Sequence, residues 1–439
     1  MQYDELIEAF KEIEPGYSPQ EAVAEAFRCL KCQDAPCAKG CPAGIDVSKF
    51  IRQITTRNFR GAIRVIKEEN VLAGICARIC PQSHLCEGEC SSSDLAKPIR
   101  IGMLQRFAAD QEQKTGTRPL RSLPDKGVAM AVVGSGPAGL TAATFLRRLG
   151  YTVDLYDAGS HPGGVLMSGI PAYRLPKAIV SQEVDYIRSL GVTIHTAYEV
   201  EDPVALLKQY RAIFLGTGVS RPLKLNIEGE GLPGVIQAMD LLKAINTALI
   251  RTKNLTQAVG EQVVVIGGGN AAMDAAVSAR KLGAKSVTVV YRRTETEMPA
   301  WPEEIAFARK QGVVIKTLIG PAAFIGEKDR LSALRCIQME LGSLDHSGRK
   351  RPVPVSGSEY DMPCDTAIIA IGVASVAAFG DLETDSHGLV KVDDETLMTS
   401  VPGLFAGGDL IRGSDMAVTA VGGGKRAAFA MDRWIQAGS

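Results

Sequence analysis

Residues 128–133 read Val-Ala-Met-Ala-Val-Val, residues 134–139 read Gly-Ser-Gly-Pro-Ala-Gly, and residues 152–157 read Thr-Val-Asp-Leu-Tyr-Asp. An apolar run enters a glycine turn, a helical stretch follows, and a second apolar run ends on an acid. That order predicts a strand over Val128–Val133, a helix over Pro137–Leu149 and a second strand over Thr152–Tyr156. The turn carries Gly134-x-Gly136-x-x-Gly139, with Ser135, Pro137 and Ala138 between the glycines. Such glycines allow a tight turn and a close backbone approach, and the following helix N-terminus points N–H groups at a pyrophosphate. Asp157 stands 23 residues after Gly134, where an acid accepts a hydrogen bond from an adenosine ribose hydroxyl. A glycine turn without a ligand is the alternative, but strand, helix and acid accompany the motif together. Val128 to Leu146 is uncharged for 19 residues, yet the glycine turn inside it makes a membrane span the weaker reading.

The same order returns some 130 residues later: a strand over Val263–Ile266, the turn Gly267-Gly268-Gly269-Asn270-Ala271-Ala272, a helix over Ala271–Leu282 and a strand over Val287–Tyr291. Two βαβ starts imply two dinucleotide-binding units. Here Tyr291 takes the place of Asp157, and Arg292 and Arg293 follow at once. An acid would repel a 2′-phosphate, whereas guanidinium groups bind one bidentately, so the pair argues for NADP(H) over NAD(H). The alternative is that both arginines solvate a strand end. Two nucleotide sites of different type suggest a flavin in one and a nicotinamide in the other. Hydride then passes between the cofactors, and no side-chain acid or base is obligatory.

Lys plus Arg and Asp plus Glu number 49 each among 439 residues. A neutral chain without a basic block lacks the field that nucleic-acid binding needs. The acidic start MQYDELIEAFKEIEPG is no secretory signal, so the expectation is a cytoplasmic protein.

Eight of the ten cysteines fall between Cys29 and Cys90. A large chain without a signal is a poor candidate for a disulfide framework, and metal or metal–sulfur ligation reads better. The groups are Cys29-x2-Cys32-x4-Cys37-x3-Cys41-Pro42 and Cys76-x3-Cys80-Pro81-x4-Cys86-x3-Cys90. Their Cys-Pro endings resemble bacterial ferredoxin runs, and eight thiolates suffice for two [4Fe–4S] clusters. Two structural zinc sites are the rival, but zinc has no redox chemistry to drain a flavin. His84 lies between these cysteines and reads more simply as a loop residue than as a ligand. Cys336 and Cys364 are isolated, no cysteine lies near Gly163-Gly164, and a disulfide-reductase reading fails there. Residues 1–118 read as helical, with Ser18-Pro19-Gln20-Glu21 as a helix start and later helices in 47–70 and 98–114. Pro- and charge-bearing residues to Gly127 form a linker.

CLKCQDAPCAKGCP (29–42), CARICPQSHLCEGEC (76–90), IGMLQRF (101–107), GSGPAGL (134–140), GGVLMSGIPAYRLPK (163–177), GGGNAAMDA (267–275) and GLFAGGDL (403–410) together resemble the family of the glutamate synthase small subunit. Within it the chain is most similar to the N-terminal half of dihydropyrimidine dehydrogenase and its free-standing bacterial flavin subunit. The likeness implies an α/β protein: an N-terminal all-α iron–sulfur domain (1–118), a linker (119–127), then two Rossmann-like domains. The NAD(P)H domain (247–360) is inserted in the FAD domain (128–246 and 361–439).

It also implies crossed ligation. Cys29, Cys32, Cys37 and Cys90 hold one cluster; Cys41, Cys80, Cys86 and Gln105 hold the other, and Cys76 is left unligated. FAD contacts map to Gly134 through Gly139, Asp157, Gly164, Val165, Arg174, Val200, Gly408 and Asp409. Ala417, Val418 and Thr419 would open a helix toward the flavin pyrimidine ring. NADP(H) contacts map to Gly267, Gly269, Asn270, Ala271, Arg292, Arg293, Ala370, Ile371 and Gly372. Dihydropyrimidine dehydrogenase has a further arginine where this chain reads Glu297-Met298-Pro299, and the free-standing bacterial relative uses NAD. The FMN barrel with the pyrimidine site has no counterpart here. The implied role is an electron-input subunit in a hetero-oligomer, delivering to an FMN-barrel partner. The alternatives are a glutamate synthase large subunit or ferredoxin as acceptor, or a non-redox zinc-bearing scaffold.

Overall fold

The computed structural model describes residues 1–344, 348–375, 379 and 382–438. It opens with seven helices: α1 (Tyr3–Ala9), α2 (Pro19–Phe27), α3 (Pro36–Lys39), α4 (Val47–Thr55), α5 (Phe59–Glu69), α6 (Ala73–Ile79) and α7 (Ile101–Thr115). Ser18 caps α2 as the sequence suggests: its Oγ accepts from Glu21 N–H while Glu21 Oε2 accepts from Ser18 N–H at 2.8 Å. Such a box satisfies two of the four orphan donors of a helix start. The stretch 47–70 is broken because Arg57 turns left-handed at φ 57° and Asn58 recaps α5 through Gly61 N–H. Helix α7 runs through the middle of this head, with Leu104, Phe107 and Ala108 at or below 1% exposure.

The first Rossmann sheet holds β1 (Ala129–Val133), β2 (Thr152–Tyr156), β3 (Val192–His195) and β4 (Ala212–Leu215). Helices α8 (Pro137–Arg148), α9 (Val165–Ser168) and α10 (Lys177–Ser189) connect them. The second holds β5 (Val235–Gln237), β6 (Gln262–Ile266), β7 (Ser286–Tyr291) and β8 (Val313–Thr317), with α11 (Ala238–Ile250), α12 (Asn270–Lys281) and α13 (Pro302–Lys310). After β8 come the antiparallel strands β9 (Ile319–Glu327), β10 (Arg330–Leu344), β11 (Lys350–Pro354) and β12 (Tyr360–Pro363). The chain closes with β13 (Thr366–Ile369), β14 (Leu404–Ala406), α14 (Asp409–Arg412) and α15 (Ala417–Ala437).

The parallel sheets run β14-β4-β1-β2-β3 and β5-β13-β6-β7-β8. In each, the strand before the glycine turn has neighbours running to either side, which is the switch point where α/β sheets open a crevice. Parallel strands are covered on both faces and therefore read as unbroken apolar runs; all of β4 and β13 is buried.

Two compact units result: residues 1–11, 168–173 and 221–373, and residues 12–167, 174–220 and 374–439. The inserted unit thus reaches from 221 to 373, beyond the 247–360 read from the sequence. Its extra elements are β5, α11 and β13, whose Ile368 and Ile369 pair with Val265 and Ile266 of β6. The fully buried β13 joins that sheet as an inner strand, paired with β5 on one edge and β6 on the other. The first segment of the helical head also departs from the expected grouping: Leu6 of α1 and Phe10 just after it are buried in the same core as Leu241, Ala272 and Val289. In the other unit α15 lies close along α8. A Cβ on Gly424 would stand 2.1 Å from Ala138 O, so only glycine admits this approach.

Candidate functional site

The first glycine turn divides its labour. A Cβ on Gly134 would stand 2.5 Å from Gly216 O, and one on Gly139 would stand 1.8 Å from Gly134 O. These two glycines serve the chain's own packing. Gly136 is different: nothing lies nearer to its would-be Cβ than Gly216 O at 3.8 Å, so the open cradle suits a ligand approaching the backbone. Gly163–Gly164 closes one side, with Gly163 N–H donating to Ser135 Oγ at 2.9 Å, and Val165 beyond it is 47% exposed. Arg174 and Val200 are half-buried in the same unit.

Asp157 ends β2 as expected, but its carboxylate is already engaged. Oδ2 accepts from Ser135 N–H at 2.7 Å and from Ser135 Oγ–H, and Oδ1 accepts from Gly159 N–H at 2.7 Å. Its evident work is to tie the turn, and a ribose hydroxyl there shares an acceptor with three donors.

At the C-terminal end of the same unit, Gly408, Asp409, Arg412, Thr419 and Gly423 line a cavity. Ala417, Val418 and Thr419 form the first turn of α15, and Thr419 Oγ1 is buried with no hydrogen-bond partner. Burial pushes the Asp409 carboxyl up to about 6, against a smaller lowering by a hydrogen bond from the Asp415 backbone. A hydroxyl and a carboxyl aimed into a cavity fit a polyhydroxylated ligand such as the ribityl chain of FAD. Sequence reading missed Arg412, Gly423 and Arg426 here; the run Gly422-Gly423-Gly424 was the only available signal.

The second turn repeats the pattern in the other unit. A Cβ on Gly267 would stand 2.2 Å from Ala370 O, and one on Gly268 would strike the Tyr291 ring at 2.5 Å. Tyr291 therefore braces this turn by packing, where Asp157 braces the first by hydrogen bonds. Gly269 is open, its nearest neighbour being Pro299 Cγ at 4.0 Å. Asn270 Oδ1 accepts from Trp301 N–H at 3.0 Å, Ala271 is exposed at the first turn of α12, and Ala370-Ile371-Gly372 leaves β13 beside Gly267. The arginine pair is split. Arg292 is exposed, whereas Arg293 is 4% exposed and its Nε donates to Lys350 O at 2.8 Å. A side chain anchored to β11 is less available to a phosphate than the exposed Arg292.

The cysteines sort across their two runs. Cys29, Cys32, Cys37 and Cys90 line one cavity, with Leu30, Pro36 and Ile99 as its apolar walls. Burial first, then Cys90 and Cys29, push the Cys37 thiol up to about 11. In the other group the Cys80 thiol is hydrogen-bonded to Cys76 and lies in the field of Cys86 and Cys41. The Cys76 hydrogen bond and then burial raise Cys80 far above an ordinary thiol, and burial followed by Cys41 raises Cys86. Thiolates so crowded coexist only around a cationic centre. Thiols spread around a cavity suit a polynuclear iron–sulfur core better than one zinc ion with bonds of about 2.3 Å. Gln105 is buried on α7, and its Nε2 donates to Ala73 O at 2.8 Å. His84 is exposed.

Cys336 and Cys364 are buried free thiols in an apolar core with Leu334 and Ile369. Among the described residues no helix is long and apolar enough to cross a membrane.

Residues 6–117 match the family described as dihydropyrimidine dehydrogenase domain II, 4Fe-4S cluster, and residues 128–424 match pyridine nucleotide-disulphide oxidoreductase. The NADP(+)-dependent formate dehydrogenase subunit beta of Moorella thermoacetica is 38% identical over 92% of this chain, which spans 60% of that protein's length. The glutamate synthase [NADPH] small chain of Halomonas elongata is 37% identical over 95% of this chain and 92% of its own. The NAD-dependent dihydropyrimidine dehydrogenase subunit PreT of Salmonella typhimurium is 36% identical over 97% of both. Among solved structures, Mycobacterium tuberculosis FprA in complex with NADPH shares the fold, with a TM-score of 0.59 at 20% identity over 72% of this chain and 85% of that one. With its thiol-rich helical head and two glycine-turn units, the chain belongs to the pyridine nucleotide-disulphide oxidoreductase family, in the iron–sulfur branch that includes glutamate synthase small chains, and is an NAD(P)H-dependent oxidoreductase.

Proposed function

We propose that the chain is an electron-input subunit that oxidises NAD(P)H and passes the electrons to a partner chain. The observation that carries this is the sorting of eight thiols into two groups within the same compact unit as the Gly134–Gly139 turn. A bound FAD would supply a hydride acceptor for NAD(P)H, and two [4Fe–4S] clusters would supply one-electron carriers onward. Cys29, Cys32, Cys37 and Cys90 hold one cluster; Cys41, Cys80, Cys86 and Gln105 hold the other. The open backbone at Gly136 admits the FAD pyrophosphate, while Asp409 and Thr419 orient the ribityl side. The open backbone at Gly269 does the same for the nicotinamide nucleotide, and exposed Arg292 favours a 2′-phosphate, hence NADPH over NADH.

The partner favoured by the Cys29–Pro42 phrase is an FMN-barrel chain of dihydropyrimidine dehydrogenase type, as the PreT name suggests. The 92% coverage of a glutamate synthase small chain favours the second reading, a glutamate synthase large subunit. Anaerobically purified chain tests the core of the proposal. It should contain one FAD and acid-labile sulfide matching eight iron atoms, and NADPH should bleach it faster than NADH. Colourless protein without sulfide refutes it and favours the zinc scaffold. Uracil reduction against glutamine plus 2-oxoglutarate turnover, each with the cognate partner added, separates the two acceptor readings.

A further inference from the structure

The Ala73–Gly74 peptide at the start of α6 is held at both ends. Its carbonyl accepts from Gln105 Nε2 at 2.8 Å, and its N–H donates to Glu183 Oε1 at 2.8 Å. Both side chains are buried, Gln105 at 7% and Glu183 at 2% exposure, and Glu183 Oε2 has no hydrogen-bond partner. A single N–H contact needs only a neutral acceptor, and burying an ion is costly. The charged groups around Glu183 are Lys67 of α5, Glu112 of α7 and Arg78 of α6. They are already answered elsewhere. Lys67 Nζ pairs with Glu112 Oε2 at 2.8 Å and lies over the Tyr186 ring, and Arg78 pairs with Glu12 and Asp110. Glu183, on α10, is therefore a surplus buried carboxylate set against the first turn of α6, the helix that Cys80 caps.

A peptide group is a conjugated unit, so charge at its N–H end enriches its carbonyl end, and hydrogen bonds in series polarise one another. The Ala73 carbonyl also decides which way the Gln105 amide faces: it accepts only from the NH2, so Oε1, the atom a metal takes, is turned from it. We propose that Glu183 is a positioning residue for Gln105. Through the Ala73–Gly74 peptide it sets the orientation of that amide and the donor strength of its carbonyl oxygen toward the iron–sulfur cluster of Cys41, Cys80 and Cys86. This rests on the reading of Gln105 as a cluster ligand, and partners beyond the ligands commonly tune a metal in this way. Burial pushes the Glu183 carboxyl up to about 7, so it is mostly neutral at pH 6 and mostly charged at pH 8.5.

The test uses the whole chain, purified anaerobically as wild type, Glu183→Gln, Glu183→Leu, Gln105→Ala and both double variants with Gln105→Ala. Iron and sulfide content, the electron paramagnetic resonance spectrum of the reduced clusters and their midpoint potentials are read at pH 6 and pH 8.5. Glu183→Gln keeps an acceptor and removes the charge. It should leave iron content unchanged and raise one cluster's potential at pH 8.5, converging on wild type at pH 6. Glu183→Leu removes the acceptor and should also change that cluster's spectrum. Both effects should vanish in the Gln105→Ala background, because coupled residues are non-additive. Effects of full size in that background overturn the proposal, as do wild-type potentials and spectra in both Glu183 variants. If Gln105→Ala itself leaves iron, sulfide and spectrum unchanged, the ligand reading falls, and the proposal with it.

Discussion

Replacing Gly136 with alanine should evict the flavin without harming the fold. Gly136 sits at φ −64°, ψ 179°, extended backbone that alanine adopts freely, and its added Cβ would meet only Gly216 O at 3.8 Å. A glycine-to-alanine change at a compatible position stabilises by about 0.4–1 kcal/mol through the unfolded chain. The cofactor-free variant should therefore unfold at or slightly above the wild-type temperature. In the loaded protein the methyl group stands where the pyrophosphate must approach. Overpacking of one methyl costs about 1–3 kcal/mol, or roughly 6- to 150-fold in affinity. Gly139→Ala is the contrast: its Cβ would lie 1.8 Å from Gly134 O, so the fold itself should suffer. The assay is flavin absorbance per chain after gel filtration, a dissociation constant from flavin fluorescence, and thermal unfolding of deflavinated protein. Gly136→Ala with wild-type flavin affinity, or with a cofactor-free chain clearly less stable than wild type, would refute the reasoning. Gly269→Ala should behave alike toward NADPH while keeping its flavin.

Arg292→Ala should raise the NADPH KM about tenfold, the lower range for an exposed charge-assisted contact, and leave the NADH KM within about twofold. Equal effects on both nucleotides would defeat the phosphate role. Arg293→Ala should chiefly lower thermal stability, since it unties Lys350 of β11. Asp409, held near 6 by burial, binds its proton more tightly folded than unfolded. Folding is therefore penalised increasingly as pH rises from about 4 to 6 and constantly above, by up to about 3 kcal/mol. Cofactor-free Asp409→Asn should accordingly gain stability over wild type across that window, and parallel pH curves would contradict it. Lys67→Met strands the buried Glu112 carboxylate and should cost about 3–5 kcal/mol in chemical denaturation at neutral pH; a loss under about 1 kcal/mol would contradict it.

Local patterns proved sufficient for local structure. The glycine turns, their strands and the Ser18 cap all lie within a few residues of the groups that need them, so apolar periodicity and cap chemistry expose them. Thr366–Ile369 shows the limit. A threonine and three apolar residues announce a buried strand and say nothing about which sheet takes it, since its partners Val235–Gln237 and Val263–Ile266 lie some 100 residues and more away. The same holds for the first segment, whose Leu6 and Phe10 read as an ordinary apolar face.

What the amino-acid order determined by itself is the chemistry on offer: two nucleotide turns, eight clustered thiols, an acid after one turn and arginines after the other. What tertiary structure alone decided is how those groups are used. It brought Cys90 to Cys29, Cys32 and Cys37, anchored Arg293 to Lys350 while leaving Arg292 exposed, and closed Gln105 and Glu183 on one peptide. The reason is physical. Residue type sets what a side chain can donate, accept or repel, but burial and partners come from strands and helices distant in the chain.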